Sequence, residues 1–93
     1  MIKSFAGKET EIFFEREFSR KLPNDIQRIA RRKLEVLDAA ESSNDLRIPP
    51  SNRLEKLKGT SSHQHSIRIN DQWRICFEWR GSDGYEVEIV DYH

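Results

Sequence analysis

The fold is decided by residues 64–80, which read QHSIRINDQWRICFEWR. Apolar and polar side chains alternate through residues 64–69 and again through 72–80, and such alternation is typical of strands with one buried face. Between these segments stands Asn70-Asp71, a pair that suits a two-residue hairpin turn. The stretch therefore predicts two antiparallel strands with one apolar face that other elements must cover.

Further strands are expected on both sides of this hairpin. Residues 81–84, GSDG, turn the chain into a strand over 85–92, and residues 53–58 form a strand that ends at Gly59, which completes a β-meander. One parity is expected to face the helices: Ile67, Ile69, Trp73, Ile75, Phe77, Trp79, Tyr85, Val87 and Ile89. The other parity defines a polar, open side, where we expect the chemistry: Arg68, Arg74, Cys76, Glu78, Glu86, Glu88 and Tyr92.

A long helix is expected between Pro23 and Ala40. Pro23 favours a helix start, and apolar or long aliphatic side chains recur after it at spacings of three and four. The stripe consists of Ile26, Ile29, Ala30, Lys33, Val36, Leu37 and Ala40. Arg28, Arg31 and Arg32 take the other side, where a solvated face and a contact with a negatively charged partner are equally expected.

The rest of the N-terminal half supplies shorter elements. Residues 2–5 form a short opening strand, and residues 8–18 form a first helix with Ile12 and Phe13 toward the core and Phe14 as a further candidate. Residues 41–52 contain SSN and PPS, which end a helix and prevent a regular strand. The pattern predicts a helical half and a strand half of one α+β fold.

Chain length and cysteine content limit the class of protein. The 93 residues suffice for a single domain, residues 1–93, with one thin core. One cysteine, Cys76, excludes an internal disulfide, and the first five residues lack the apolar run of a secretory signal. No segment approaches the roughly 20 apolar residues that cross a bilayer. We expect a cytoplasmic protein that does not bind membranes.

The formal net charge is zero, which by itself argues against a nucleic-acid binder. The distribution is uneven, however, with seven Lys or Arg against two acids over residues 16–33 and six against three over residues 53–80. Separate basic and acidic surfaces are therefore expected. A charge-rich surface that only keeps the domain soluble is equally compatible with these counts.

Short motifs in a fixed order run along the whole chain. They are Met1-Ile2-Lys3-Ser4-Phe5, Leu37-Asp38-Ala39-Ala40, Leu57-Lys58-Gly59, Ser66-Ile67, Trp73-Arg74-Ile75-Cys76-Phe77 and Val90-Asp91-Tyr92-His93. In this order they resemble the HigB, or plasmid-maintenance killer, toxins of the RelE superfamily. The resemblance implies a RelE-like fold, with helices on one face of a small antiparallel sheet, and a toxin that cuts messenger RNA on the ribosome.

The same resemblance implies the chemistry and the partners. Toxins of this type cut RNA without a metal or other cofactor, because the ribose 2′-hydroxyl attacks the adjacent phosphate in line. Their partner is a HigA-like antitoxin with a helix-turn-helix fold, so the toxin meets DNA only through that protein. Such a reaction needs a base for the hydroxyl, cations for the phosphorane charge and an acid for the leaving oxygen.

Five residues are candidates for these catalytic roles. Lys58 matches a family lysine near the scissile phosphate, although a solvated lysine before a turn is the ordinary alternative. Arg74 offers a planar fork that can clamp the transition state, and the alternative is a cross-strand partner for one of the glutamates on the open side. His93 is expected to act as acid or base, Tyr92 to stack on a base or bind a phosphate oxygen, and Asp91 to orient a neighbour.

Four further residues are candidates for RNA binding: Arg53, Lys56, His65 and Arg68. The chain also departs from the family pattern, since many relatives carry a histidine three positions before the motif lysine and this chain has Glu55 there. Either Glu55 supplies part of the base function, or His65 or no residue replaces the imidazole. A His63–His65 metal pair is not favoured, because no further ligands stand nearby in sequence.

The sequence is also compatible with two other functions. The superfamily fold also serves toxins that poison DNA gyrase by binding it, without RNA chemistry. An inactive toxin that persists only as a co-repressor with its antitoxin is a third interpretation.

Overall fold

The computed structural model describes residues 1–16, 18–56 and 64–91, and in this part the chain forms two α-helices and one antiparallel sheet. The helices are α1 (Lys8–Arg16) and α2 (Asn24–Ala39), followed by two 3₁₀ turns, Ser43–Arg47 and Pro50–Asn52. The strands are β1 (Glu55–Lys56), β2 (Gln64–Arg68), β3 (Trp73–Arg80) and β4 (Asp83–Asp91), hydrogen-bonded in the order β1-β2-β3-β4. The predicted α+β fold with a β-meander is confirmed.

Helix α2 lies against the sheet through an apolar stripe, as its periodicity predicts. Pro23 precedes its first residue, and the chain leaves the helix in an extended conformation at Ala40. One predicted member of the stripe was wrong, since Ile29 is 39% exposed, whereas Lys33 and Val36 are half-buried. The buried positions are Ile26, Ala30, Leu34 and Leu37.

Helix α1 is shorter than predicted and turns a narrower face to the core. It ends at Arg16. Of the predicted core residues, Phe13 is fully buried, Phe14 is half-buried and packs against the core, and Ile12 is 37% exposed. Phe13 joins α2 and the sheet in the core cluster. In the described part of the chain, neither helix has both the length and the apolar character that a membrane span requires.

The N-terminal segment extends the sheet beyond β4. Isolated parallel bridges join Ile2 to Gly84 and Phe5 to Val87, and the amide of Lys3 donates to the Gly84 carbonyl at 2.8 Å. The predicted opening strand is therefore present as two bridges and not as a continuous strand. This pairing satisfies backbone N–H and C=O groups on the outer edge of β4, which would otherwise be unpaired as in any exposed edge strand.

A β-bulge changes the face assignment at the start of β4. Cys76 pairs with Glu88 and Glu78 pairs with Tyr85, so β4 has one more residue than β3 between these two pairs. The extra residue is Glu86, whose φ of 53° is the left-handed conformation common at bulges. Tyr85 therefore does not face the helices as predicted.

Tyr85 lies instead on the polar side of the sheet, and its contacts agree with the register. The guanidinium of Arg80 lies over the Tyr85 ring, 5.5 Å from its centroid. Gly84, the next residue back, takes the helix-facing position, because an added Cβ there would lie 3.7 Å from a Leu37 methyl. The bulge thus reverses the parity of residues 83–85.

The two hairpin connections differ from each other. Arg80 pairs with Asp83, so Gly81-Ser82 alone makes the second turn, with Gly81 at φ 63°. The first connection is longer than the predicted two residues, because β2 ends at Arg68 and β3 begins at Trp73. The side-chain oxygen of Asn70 holds this connection in place, because it accepts a hydrogen bond from the backbone N–H of Trp73 at 2.7 Å.

The connection between α2 and β1 is anchored by a buried asparagine. Asn52 is fully buried, and its amide nitrogen donates to the carbonyls of Leu46 at 3.1 Å and Ile48 at 3.2 Å. Its side-chain oxygen accepts a hydrogen bond from Lys33 on α2. The predicted loop is thus an ordered segment that delivers the chain to β1 at the sheet edge.

Candidate active site

The side of the sheet away from the helices is defined by two rows of residues, and we call it the open face. Register places Glu55 beside Ser66, Ser66 beside Cys76 and Cys76 beside Glu88 across all four strands. The next row runs from Arg68 through Arg74 to Val90. These pairs bring Arg74 to the middle of the sheet, as the alternation of β3 predicts.

Among the residues that the structure describes, Arg74 is the most enclosed cation of this face. It is 8% exposed, its Nε donates to Ser66 Oγ at 2.9 Å, and one Nη2 donates to the Arg53 carbonyl at 2.8 Å. The same nitrogen lies 3.4 Å from the Ser66 carbonyl and 3.9 Å from Glu55 Oε2. Arg74 therefore ties the segment before β1 to β2.

These contacts change the expected partner of Arg74. The sequence alternatives were the glutamates at 78, 86 and 88, whereas the carboxylate nearest its guanidinium is that of Glu55. Glu55 is 58% exposed, so the ion pair is open to solvent on one side and contributes little by itself. The buried Ser66 hydroxyl is the stronger anchor, because a fully buried polar group must find a partner.

Cys76 lies next to Arg74 along β3, and its environment disfavours the thiolate. Burial raises the pKa of the Cys76 thiol, Arg74 opposes this by lowering it, and Glu88 raises it further. The thiol is therefore protonated near neutral pH and is a poor nucleophile. This supports the sequence interpretation of Cys76 as a packed side chain.

The RNA-binding candidates of the first two strands lie at different places. Arg53 has a left-handed backbone, with φ 45°, and an exposed side chain just before β1. Lys56 is exposed and pairs with His65, which in turn pairs with Phe77. The His65 and Phe77 rings stack at 5.9 Å, so His65 lies on the helix-facing side of the sheet edge and not on the open face.

Arg68 and Asp91 occupy the end of the sheet near the first hairpin connection. Arg68 pairs with Arg74 in register, and its guanidinium forms an ion pair with Asp71. Asp91 pairs with Trp73, and its side-chain carboxylate accepts a hydrogen bond from the side-chain amide of Gln72 at 3.1 Å. Because Val90 shares the row of Arg74, Asp91 points to the opposite side of the sheet.

Three of the catalytic candidates, Lys58, Tyr92 and His93, lie outside the described residues, as does His63. The convergence of Lys58 and the terminal pair on Arg74 therefore stays a prediction. Within residues 1–16, 18–56 and 64–91, no three His, Cys, Asp or Glu side chains come together in a way that could hold a metal ion.

Ser66 was missed as a site residue by the sequence. Ser66 shares the parity of Arg68, but nothing in a single strand shows that its hydroxyl accepts a hydrogen bond from Arg74 on the next strand. Glu55 was singled out only because it stands three positions before Lys58 in the sequence. Its contact with Arg74 depends on the pairing of β1 with β2.

Comparisons with known proteins agree on one family. A family model described as the RelE-like toxin of type II toxin-antitoxin system HigB matches residues 3–93. The chain is 45% identical over 80 residues to "Toxin HigB-1" of Vibrio cholerae, which covers 85% of this chain and 84% of that protein. It is 34% identical over 94 residues, and over the full length of both chains, to "Endoribonuclease HigB" of Proteus vulgaris. An uncharacterized protein of Haemophilus influenzae is 36% identical over 63 residues, or 68% of this chain and 62% of that protein.

Proposed function

Because the chain belongs to the family of RelE-like HigB toxins of type II toxin–antitoxin systems, we propose that it is an endoribonuclease that cuts messenger RNA on the ribosome. The observation that carries the proposal is the full-length similarity to a relative named as an endoribonuclease. The open face supports it, since the face holds a guanidinium fixed at the centre of the sheet. A fixed cation stabilises developing charge without having to reorganise during the reaction.

The proposed reaction is attack of a ribose 2′-oxygen on the adjacent phosphorus. The new bond joins the 2′-oxygen to phosphorus, the bond from phosphorus to the 5′-oxygen breaks, and a proton moves from the 2′-hydroxyl to the leaving oxygen through protein groups. We assign His93 as acid or base and Tyr92 to hold a base or a phosphate oxygen. Asp91 is given no role in the reaction, because its pairing with Trp73 turns it away from the open face. Lys58 and Arg74 stabilise the charge on the phosphorane oxygens.

The contacts of Arg74 suit this role. Its Nε and one nitrogen of its fork are engaged by Ser66 and by the Arg53 carbonyl, so the guanidinium plane has one orientation. A cation held in this way loses little side-chain entropy when a phosphate approaches. Arg53, whose carbonyl accepts from Arg74, would bind a flanking phosphate on the open face. Lys56 shares the side of His65 and would bind RNA only beyond the β1 edge.

A type II toxin has an antitoxin as its partner. We propose that the antitoxin here is a HigA-like helix-turn-helix protein, and that the toxin reaches DNA only through it. The other partners of the proposal are the ribosome and its bound messenger RNA. We place the activity in the cytoplasm, where translation occurs.

Expression in a bacterial host followed by primer extension tests the proposed activity. We expect growth arrest, with new 5′ ends inside coding sequences that appear only when ribosomes translate the message. The matched control is Lys58→Ala combined with His93→Ala, which should remove these ends. DNA breaks without RNA fragments would contradict the proposal and would favour a gyrase-binding toxin.

A further inference from the structure

A second basic surface lies at the end of the sheet, between α2 and the end of β2, and nothing in the proposed reaction uses it. It is a cleft of about 370 Å³ between the middle of α2, the segment that precedes β1 and the end of β2. We call it the basic cleft, and its lining consists of Ile29, Arg32, Lys33, Val36, Pro49, Ser51, Arg68 and Ile69.

The lining contains three cations and no carboxylate. Arg68 is paired with Asp71, which is 97% exposed and stands outside the lining. Lys33 donates to the amide oxygen of Asn52, a neutral partner. Arg32 is exposed, and no acid is in ion-pair contact with it in the part of the chain that the structure describes. The cleft therefore has a surplus of positive charge.

Lys33 is the cation of the cleft whose charged form is disfavoured by its surroundings. Burial lowers the pKa of the Lys33 ammonium, and the neighbouring charge of Arg32 lowers it further. Like charges held together in a cleft destabilise each other, and a bound anion removes this cost. The geometry and charge of the cleft suit a phosphate group.

The cleft is joined to the open face through one residue. Arg68 lines the cleft and is the register partner of Arg74 on the neighbouring strand. Directly paired residues in an antiparallel sheet have Cα atoms only about 4.5–5.5 Å apart. An RNA strand held at Arg74 thus lies within reach of Arg68 and, beyond it, of the basic cleft.

We propose that the basic cleft binds backbone phosphates of single-stranded RNA next to the segment that lies on the open face. The inference rests on the proposed function, because it extends the path of the same substrate. The aliphatic walls, Ile29 and Val36, offer contact to a ribose or base, while Arg32 and Arg68 neutralise phosphates. An acidic peptide would use the same cations, but continuity with Arg74 favours the strand that is cut.

The test is equilibrium binding of a fluorescent 2′-O-methyl oligoribonucleotide, which lacks the attacking hydroxyl and cannot be cleaved. The purified chain is titrated by fluorescence anisotropy at several salt concentrations. For Arg32→Gln we expect binding about threefold to tenfold weaker at low salt, and a log–log salt slope shallower by about 0.7, the value for one lost contact to a single strand. Arg68→Gln should behave in the same way.

The matched control is Lys3→Gln. Lys3 is an exposed cation of the N-terminal segment, which pairs with β4 at the other edge of the sheet from β1, and its loss changes the net charge equally. Binding by Lys3→Gln should equal that of the wild type. If Arg32→Gln and Lys3→Gln bind alike while wild type cuts message, the cleft proposal is overturned and the nuclease proposal stands.

Failure of the nuclease proposal can also be told apart from failure of the cleft proposal. Absence of cleavage by the wild type contradicts the nuclease, whatever the oligonucleotide affinities are. Loss of antitoxin binding by Arg32→Gln with unchanged RNA binding would assign the cleft to a protein partner and would also overturn the RNA proposal.

Discussion

Arg74→Ala is expected to lower the free energy of unfolding by about 2–4 kcal/mol, which is the usual range for breaking a buried, charge-assisted hydrogen-bond set. The variant removes the donors to the Ser66 hydroxyl and the Arg53 carbonyl, and it leaves the fully buried hydroxyl without its partner. For a domain of this length the midpoint of thermal unfolding should fall by roughly 10–25 °C. Urea and thermal unfolding, followed by circular dichroism, measure the change.

Arg80→Ala is the matched control for this loss. Arg80 also belongs to β3 and bonds to Glu78 at 2.8 Å, but its side chain is 60% exposed. Its removal should cost less than about 1 kcal/mol, because exposed ion pairs contribute little. Equal losses from the two variants would show that Arg74 does not hold the segment before β1.

Phe13→Ala is expected to lower the free energy of unfolding by about 3–5 kcal/mol, as for other fully buried aromatic side chains. Phe13, on α1, has no exposed surface and belongs to the core cluster. A small domain has a total stability of about 5–10 kcal/mol, so this variant should be partly unfolded near 37 °C. Urea unfolding of the purified variant gives the value.

Ile12→Ala controls for the loss of helix contacts in general. Ile12 precedes Phe13 on the same helix and is 37% exposed, so its truncation should cost less than about 1 kcal/mol. A loss for Phe13→Ala as small as that for Ile12→Ala would mean that α1 is not packed on the sheet as described.

Local periodicity was enough to predict the elements and most of the core. The alternation of β2 and β3 placed Ile67, Ile75 and Phe77 on the buried face, and all three are nearly or fully buried. The stripe of α2 was found, but a single helix does not show where the sheet beneath it ends. For this reason Ile29 was wrongly placed in the core.

The wrong face assignment in the sheet arises where one extra residue interrupts the alternation along β4. Tyr85 was assigned to the helix-facing parity by counting back from Val87, and the bulge at Glu86 makes that count wrong by one. The usual sequence sign of such a bulge is a glycine at the position with positive φ. This chain has Glu86 there, so nothing in the local sequence marks the bulge.

The candidate site was only partly predictable for a different reason. The alternation placed Arg74 on the correct face, but its contacts with Ser66, Arg53 and Glu55 reach the two preceding strands and the segment before β1, 8 to 21 residues away in the sequence. Such partners follow from register and not from local pattern. The roles of Lys58, Tyr92 and His93 come from the family resemblance, and they stay predictions.

The most direct test of the open face is the single-turnover rate of message cleavage on purified translating ribosomes by wild type, Arg74→Lys and Arg80→Lys. Lysine keeps the charge but cannot reproduce the planar fork that Ser66 and Arg53 hold, so Arg74→Lys should cut at least about 100-fold more slowly. Arg80→Lys should cut at the wild-type rate. Equal rates for all three proteins, with Arg74→Lys shown to be folded, would contradict cleavage on the open face.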